Sequence, residues 1–121
     1  VPEVRVVTAI LVVEDDAEFL VYYQQELGKL GHVWSAHNAQ EAFDAIASVR
    51  FDLAVIDILL PDGDGADVAR YLRGRQGDTC PIYVITILSE AEAMEKFEGI
   101  ANVTIKEKAA IADAVARRLK R

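Results

Sequence analysis

The stretch Phe51-Asp52-Leu53-Ala54-Val55-Ile56-Asp57-Ile58-Leu59-Leu60-Pro61-Asp62-Gly63 decides how this chain folds. Within it, the apolar run from Leu53 to Ile56 leads directly into the carboxylate of Asp57. An unbroken apolar run of this length is typical of a strand that is buried on both faces, as in a parallel sheet covered by helices. Pro61 and Gly63 then interrupt regular structure. We therefore expect Asp57 at the C-terminal end of a central strand, where open α/β sheets bind their ligands.

The composition is that of one acidic globular domain. The chain has 121 residues, of which 52% are hydrophobic and 27% charged, and its formal net charge is −7. The net negative charge argues against a nucleic-acid surface, because binding to phosphates requires clustered Lys and Arg. The single cysteine, Cys80, cannot form an internal disulfide, and no apolar run approaches the length of a membrane span. We predict a single domain over residues 1–121 that is cytoplasmic and binds neither nucleic acid nor membranes directly.

Apolar runs alternate with helical repeats along the whole chain. The predicted strands cover residues 4–13, 32–36, 53–57, 82–87 and 102–105. Capping residues mark helix starts at Asp16, Asn38 and Ser89, and a third helix is expected over about residues 66–73. Glycines mark helix ends at Gly31, Gly74 and Gly99. A fifth helix is indicated by Ile111, Val115 and Leu119, which are spaced four apart.

This alternation predicts an α/β fold in which a five-stranded doubly wound parallel sheet is covered by five helices. Polar residues lie at or just after the ends of four predicted strands. They are Glu14 and Asp15 after the first strand, Asp57 at the end of the third, Thr86 in the fourth and Lys106 after the fifth. Because the strands of a parallel sheet point the same way, these residues should converge at one edge.

Each of these residues also has an ordinary structural interpretation. Asp57 could begin a loop and bond to nearby backbone, and Thr86 could be a β-branched strand residue like many others. Lys106 could be an ordinary surface lysine. Lys108 would point to the same side of the sheet if the strand continued, so it is the alternative lysine for the positive charge of the site. The occurrence of all five residues at one predicted edge favours a functional site over coincidence.

With these residues in place, the chain resembles the receiver domain of two-component response regulators. The resemblance is carried by residues 10–16, 52–65, 81–86 and 99–106, and it extends over essentially the whole sequence. The spacings also agree, with 42 residues from Asp15 to Asp57 and 49 from Asp57 to Lys106. The fold that the resemblance implies, a flavodoxin-like five-stranded sheet, is the one predicted from the residues themselves.

The resemblance implies a function for each residue of the site. Asp57 would accept a phosphoryl group, Glu14, Asp15 and Asp57 would hold Mg²⁺ together with the backbone carbonyl of Leu59, and Thr86 and Lys106 would contact the phosphoryl group. The donor would be a histidine kinase or a histidine phosphotransfer protein, and a downstream protein target or fused output domain would respond. The domain would not be an enzyme in the usual sense, although it would assist its own phosphorylation and dephosphorylation.

The chemistry of phosphoryl transfer accounts for these residue types. Adjacent carboxylates repel one another, and a hard divalent cation with oxygen ligands relieves that repulsion. Mg²⁺ prefers few protein ligands, together with waters and phosphate oxygens. An aspartate nucleophile, an ammonium group and a hydroxyl donor around the transferred group supply the rest of what the reaction needs.

The sequence departs from the usual receiver pattern near its end. Glu107 follows the lysine where a proline is common, Ile87 follows Thr86 where a small residue is common, and Val103 replaces an aromatic residue. The segment from Thr86 to Lys106 is also short, which predicts a shortened fourth helix. These departures leave open a second function, a degenerate receiver-like interaction module that works without phosphorylation. A flavin-binding protein of similar topology is disfavoured, because the carboxylates after the first and third strands would repel the phosphate of a bound flavin unless a metal intervened.

Two other metal motifs do not hold. The segment beginning at Asp62 resembles a calcium loop, but its fifth, sixth and twelfth positions are Ala66, Asp67 and Arg73. A turn that uses its glycines is the better interpretation. His32 and His37 have no cysteine or acid at ligand spacing, so we interpret them as structural or surface residues.

Overall fold

A computed structural model describes residues 8–106 and Arg117. Its centre is a parallel sheet of five strands in the order β2-β1-β3-β6-β7. The strands are β1 (Ala9–Val13), β2 (His32–Ala36), β3 (Leu53–Asp57), β6 (Ile82–Ile85) and β7 (Val103–Lys106). A two-stranded antiparallel hairpin, β4 (Leu59–Leu60) and β5 (Gly63–Asp64), follows β3. The predicted doubly wound sheet is therefore confirmed, with the predicted fourth and fifth strands appearing as β6 and β7.

Helices cover both faces of this sheet. They are α1 (Ala17–Leu27), α2 (Ala39–Ser48), α3 (Gly65–Gln76) and α4 (Glu90–Lys96). The three predicted caps are confirmed, because the side chains of Asp16, Asn38 and Ser89 each accept from a backbone N–H in the first turn. The predicted fifth helix falls on residues that lie outside the described part of the chain, apart from Arg117.

Two predicted helix ends are wrong. α1 ends at Leu27 rather than near Gly31, because the chain must turn there to begin β2, where the N–H of His32 donates to the carbonyl of Thr8 at 2.7 Å. α3 continues through Gly74 to Gln76 and ends at Gly77, whose φ of +81° is a backbone conformation that glycine adopts readily and other residues rarely do. A glycine inside a helix therefore resembled a helix end in the sequence.

The last two strands are shifted from their predicted bounds. β6 stops at Ile85, two residues before the predicted end, so Thr86 lies just beyond the strand rather than in it. β7 begins at Val103 because Asn102 has a φ of +57°, which is incompatible with an extended strand. At its other end, β7 extends to Lys106, which was predicted to follow the strand.

The core consists of two layers, one on each face of the sheet. Alternate residues of the strands point into opposite layers, as the period of a strand requires. The layer under α1 contains Ile10, Val12, Leu20, Tyr23, Leu27, Leu53, Val55, Tyr83 and Ile85. The other layer packs Leu11, Val13, Ala54, Ile56, Ile82 and Val84 against α2, α3 and α4. Burial of the central strands on both faces fixes the positions of the polar residues at their C-terminal ends.

None of the helices within residues 8–106 is long and apolar enough to cross a membrane.

Candidate functional site

Three carboxylates meet at the C-terminal edge of the sheet. Glu14 and Asp15 follow β1, Asp57 ends β3, and these two strands are direct neighbours. Oxygen atoms of the three side chains all lie within 4.8 Å of one another. Glu14 is fully buried, Asp57 is only 6% exposed and Asp15 is exposed to solvent. The sequence predicted this grouping, and the structure brings all three residues together.

The backbone that follows β3 holds Asp57 in place. The N–H of Leu59 donates to Asp57 Oδ1 at 3.2 Å, and the N–H of Ile58 donates to the carbonyl of Ile85 on the neighbouring strand at 3.3 Å. The N–H of Gly65 then returns to the carbonyl of Ile58 at 2.7 Å. The segment after Asp57 is thus folded back on the end of its own strand.

Gly65 makes this close return possible. A Cβ atom at this position would overlap the backbone carbonyl oxygen of Asp57 and would lie 2.9 Å from Cγ2 of Ile56. Any side chain larger than hydrogen would therefore push the start of α3 away from the end of β3. Gly65 allows the helix to begin directly beside the acidic residues.

The hairpin after β3 is attached to three helices. Asp64 accepts from the N–H of Ala66 at 2.8 Å and so caps α3, and Lys96 at the end of α4 donates to its other oxygen at 2.9 Å. Asp62 accepts from the N–H groups of Ala39 and Gln40 at the start of α2. The sequence predicted only a turn in this segment, because Lys96, Ala39 and Gln40 are more than 20 residues away from their partners and leave no local pattern.

The pKa of Asp64 shows the balance of forces at this attachment. Partial burial acts to raise the pKa of the carboxyl, but hydrogen bonds from Lys96 and from the N–H of Ala66, together with the lysine charge, outweigh it. The pKa of Asp64 therefore lies below its ordinary value of 3.8. At neutral pH Asp64 is ionised and stays paired with Lys96.

Thr86 and Lys106 line a cavity at the C-terminal ends of β6 and β7. The cavity has a volume of about 190 Å³ and is formed with Leu88, Glu90 and Ile105. Thr86 follows β6 directly, and its Oγ1 accepts from the N–H of Leu88 at 2.8 Å. The hydroxyl thereby acts as an acceptor toward the backbone and keeps its own proton available for another partner.

The strand register places Lys106 on the same side of the sheet as Asp57. Asp57 is paired with Ile85, and Ile85 is paired with Lys106, so the three residues form one row across β3, β6 and β7. Asp57 and Lys106 are then two strand spacings apart, about 10 Å between their Cα atoms, which the length of a lysine side chain can largely span. Lys108, the alternative considered for this cation, lies outside the described residues.

The electrostatics of the acidic group favour a bound cation. At an effective dielectric of about 20, charges at the separation of Glu14 and Asp57 repel by roughly 3 kcal/mol. A hard cation relieves this repulsion, and carboxylate oxygens are the ligands that Mg²⁺ prefers. Two largely buried carboxylates beside an exposed one leave an open side where waters and phosphate oxygens could complete the coordination. The donor set therefore fits Mg²⁺.

Tyr23 lies beneath the acidic residues, in the apolar layer under α1. Its burial raises the pKa of its hydroxyl far above the usual value, and the charges of Glu14 and Asp57 raise it further. The sequence identified Tyr23 only as part of the apolar face of α1. A leucine would satisfy the same periodicity, so the pattern gives no signal that this residue contributes a neutral hydroxyl near the carboxylates.

The histidines and the segment beginning at Asp62 take the structural roles that the sequence favoured. His37 contacts Glu41 through Nδ1 at 2.8 Å, and the ring of His32 packs near that of Trp34 with centroids 5.2 Å apart. The oxygens of Asp62 and Asp64 bind helix N–H groups rather than converging on one point. Among the described residues, the group of three or more possible metal-ligating side chains is the one formed by Glu14, Asp15 and Asp57.

Fold and site together define a class of protein. The chain is a doubly wound α/β domain that carries a group of carboxylates, a hydroxyl and a lysine at the C-terminal edge of its sheet. A sequence profile described as the response regulator receiver domain matches residues 10–115. The chain therefore belongs to the response regulator receiver domain family.

Curated relatives agree with this assignment. The chain is 40% identical over 93 residues to the two-component response regulator PhoP of Pseudomonas aeruginosa, a match that covers 76% of this chain and 40% of that protein. It is 45% identical over 78 residues to the response regulator MprA of Mycobacterium tuberculosis, covering 64% of this chain and 34% of the relative. The matched segments thus span 40% and 34% of the lengths of these relatives.

Solved structures share the fold over almost the entire chain. The BeF3-activated DrrB receiver domain superposes with a TM-score of 0.80 at 23% identity and covers 96% of this chain and 100% of that domain. The response regulator DrrB of Thermotoga maritima, described as an OmpR/PhoB homologue, has a TM-score of 0.80 at 26% identity and covers 96% of this chain and 52% of its own. A CheY-like receiver domain protein of Methanospirillum hungatei has a TM-score of 0.79 at 23% identity, covering 95% of each chain.

Proposed function

We propose that this chain is a receiver domain that is switched by phosphorylation at Asp57. The observation that carries the proposal is the group formed by Glu14, Asp15 and Asp57, whose oxygens lie within 4.8 Å of one another at the edge of the sheet. Thr86 and Lys106, which line the cavity at the ends of β6 and β7, support it. We take residues 1–121 as one receiver domain.

In the proposed reaction, a carboxylate oxygen of Asp57 attacks the phosphorus atom of a phosphohistidine. The P–O bond to Asp57 forms as the P–N bond breaks, and the bonding electrons leave with the imidazole of the donor. The product is an acyl phosphate on Asp57. The N–H of Leu59 donates to Asp57 Oδ1 and thereby helps to orient the carboxylate.

The remaining residues of the site stabilise the negative charge on the transferred phosphoryl group. Glu14 and Asp15, with Asp57 and the backbone carbonyl of Leu59, would hold Mg²⁺, which when bound neutralises negative charge on the phosphoryl oxygens. Lys106 supplies a second positive charge, and the Thr86 hydroxyl donates its proton to a phosphoryl oxygen. The same groups would assist hydrolysis of the acyl phosphate, with water replacing the imidazole.

The partners follow from the donor chemistry and from the relatives. A histidine kinase or a histidine phosphotransfer protein would supply the phosphoryl group in the cytoplasm. Because the relatives are response regulators more than twice as long as their matched segments, we propose that a downstream protein or a fused output domain reads the signal. The net charge of −7 argues that this domain itself does not bind nucleic acid.

A degenerate receiver that works without phosphate is the second candidate. The observation that favours it is the altered switching region, where Val103 stands in place of an aromatic residue and Ile87 is 83% exposed. In that function the surface around α4 would bind a partner in one fixed conformation.

Intact-mass measurement after incubation with acetyl phosphate distinguishes the two candidates. The phosphorylated receiver should gain roughly 80 Da, the mass of one phosphoryl group, and only when Mg²⁺ is present. The added mass should disappear with hydroxylamine, which cleaves acyl phosphates. A chain that gains no mass under any of these conditions would be the degenerate module.

A further inference from the structure

Asp62 lies outside the acidic group, yet it joins the segment after the nucleophile to another helix. Its Oδ1 accepts from the N–H of Ala39 at 2.7 Å, and its Oδ2 accepts from the N–H of Gln40 at 3.0 Å. These are the first two residues of α2. One carboxylate therefore satisfies two of the N–H groups that a helix start leaves without intrahelical partners.

The position of Asp62 in the chain makes this contact relevant to the site. Asp62 lies in the turn of the β4–β5 hairpin, which closes with the pair Leu60 and Gly63. A Cβ atom on Gly63 would lie 3.4 Å from the Cβ of Ala39, so the turn rests directly on α2. The other end of the hairpin is Leu59, whose N–H donates to Asp57 Oδ1.

We infer that Asp62 is a positioning residue for the cation site, because it holds the hairpin on α2 and thereby fixes Leu59 against Asp57. The inference rests on the proposed function, in which the Leu59 carbonyl and the Asp57 carboxylate are ligands of Mg²⁺. Without the two bonds of Asp62, the hairpin would keep the side-chain bonds of Asp64 to α3 and α4 but would lose those to α2.

Asn38 provides a matched control. It caps the same helix, since its Oδ1 accepts from the N–H of Glu41 at 2.8 Å, but none of its described hydrogen bonds reaches the hairpin. Asn38→Ala and Asp62→Ala therefore both remove a cap from the start of α2, a change that usually lowers helix stability. Only Asp62→Ala also releases the turn.

The first measurement is Mg²⁺ affinity by calorimetry on the unphosphorylated protein. We expect Asp62→Ala to bind Mg²⁺ roughly tenfold more weakly than the unmodified chain, in the range found when outer-shell partners of a metal are removed. Asn38→Ala should stay within about twofold of the unmodified chain, and Asp62→Asn, which keeps one acceptor oxygen, should be intermediate. Urea midpoints of both alanine variants show whether each has lost the helix cap.

Measurements at high salt distinguish a positioning role of Asp62 from its general electrostatic attraction for cations. Asp62 is an acid, so its removal also weakens the general attraction of the protein for cations. That attraction is largely screened in about 1 M KCl, where the Debye length is near 3 Å. The difference between Asp62→Ala and Asn38→Ala should persist at high salt. A difference that vanishes there, or equal Mg²⁺ affinities at low salt, would overturn the inference.

Amide hydrogen exchange tests the attachment without any metal. Residues 58–64 should exchange faster in Asp62→Ala than in Asn38→Ala, while the start of α2 should be affected in both. Unchanged exchange across 58–64 would contradict the positioning role. If the unmodified chain binds no Mg²⁺, the metal part of the proposed function fails, and the exchange result still decides whether Asp62 holds the hairpin.

Discussion

Glu14 and Asp15 are neighbours in the sequence but have different surroundings. Glu14 is fully buried, whereas Asp15 is exposed and faces the open side of the acidic group. In receiver domains the second acid of this pair is usually the direct ligand of the metal. Asp15→Ala should therefore weaken Mg²⁺ binding more than Glu14→Ala, by at least about tenfold relative to the unmodified chain. Calorimetric titration of the two variants tests the ranking, and equal losses would refute it.

Leu59 and Leu88 are the residues that we predict to set the lifetime of a phosphoryl group on Asp57. Leu59 lies two residues beyond Asp57 and is 48% exposed. Leu88 lies two residues beyond Thr86 and lines the same cavity as Thr86 and Lys106. Apolar side chains here cannot orient an attacking water and partly exclude it.

We therefore expect the phosphorylated domain to lose its phosphoryl group slowly. Leu88→Glu and Leu59→Asn should accelerate the loss several-fold, because each introduces a group that can orient water. Intact mass followed over time after removal of the phosphodonor gives both rates. The same decay rate in both variants and in the unmodified chain would remove this account of lifetime.

The site residues differ in how well the sequence alone could identify them. Glu14, Asp15 and Asp57 end apolar runs that can only be buried strands, so their convergence follows from topology. Asp62 and Lys96 gave no such signal, because their partners are 22 to 32 residues away in the chain. Long-range hydrogen bonds of single side chains are set by the relative placement of helices, which periodicity does not encode.

At the level of elements, α4 is the part of the described chain that is best suited to change. It has seven residues, with Ala93 as its buried residue, and Ser89 caps its start. The ion pair between Lys96 and Asp64, at 2.9 Å, connects its end to the hairpin after β3. Movement at the hairpin can therefore reach α4 without an aromatic side chain in β7.

The β7 position where receivers often carry an aromatic residue is Val103, which is stiff at χ1 and too small to move between two surfaces. We predict that beryllofluoride with Mg²⁺, which mimics the phosphoryl group, changes the backbone from Ile87 through Gly99 and leaves the Val103 rotamer unchanged. A ligand shifts a conformational equilibrium only if it makes different contacts in the two conformations. Here we expect those contacts to be made by the β4–β5 hairpin, which lies next to Asp57.

Backbone and methyl NMR with and without the mimic measures this directly. Large amide shifts across residues 87–99 with a constant Val103 methyl signal would agree with the prediction. An unperturbed 87–99 segment together with a rotamer change at Val103 would contradict it.

Helix starts were easier to predict than helix ends for a physical reason. A side-chain cap such as Asn38 acts on residues within the same turn, so its signal is local. The end of α1 depends on where β2 must join the sheet, through the bond from His32 to Thr8, which is 24 residues away. Gly31 and Gly74 therefore predicted the ends of α1 and α3 at the wrong residues.

The stability of the whole molecule should depend on pH through its helix-start carboxylates. The N–H of Ala39 lowers the pKa of Asp62 below its ordinary value of 3.8, and the N–H of His37 lowers that of Glu41 below 4.5. Because these pKa values are lower in the folded chain than in the unfolded chain, the groups stabilise the fold above the unfolded pKa. That contribution is lost as pH falls through the folded pKa.

We therefore expect the free energy of unfolding to decline as pH falls below about 4.5, and to decline less steeply in Asp62→Asn, which lacks one titrating carboxyl. Urea unfolding at a series of pH values between about 6 and 3 measures both slopes. An identical pH dependence in the variant and the unmodified chain would show that Asp62 does not contribute to acid sensitivity.

The sheet was predictable as a whole because each central strand is apolar throughout and each is followed by a helical repeat. The side chains of Leu53 to Ile56 are apolar on both faces of the strand, so helices must cover the sheet on both sides to bury them. The C-terminal edge then collected the polar ends of the strands. What topology could not supply was the attachment of the hairpin to α2, α3 and α4.

The central claim is that Asp57 alone accepts the phosphoryl group, and the most direct test is intact mass after incubation with acetyl phosphate and Mg²⁺. The unmodified chain should gain roughly 80 Da, and Asp57→Ala should gain nothing. Asp67→Ala, which removes a surface carboxylate that contacts Arg70, serves as the control and should be phosphorylated normally. An Asp57→Ala protein that gains the same mass in the same yield would contradict the account.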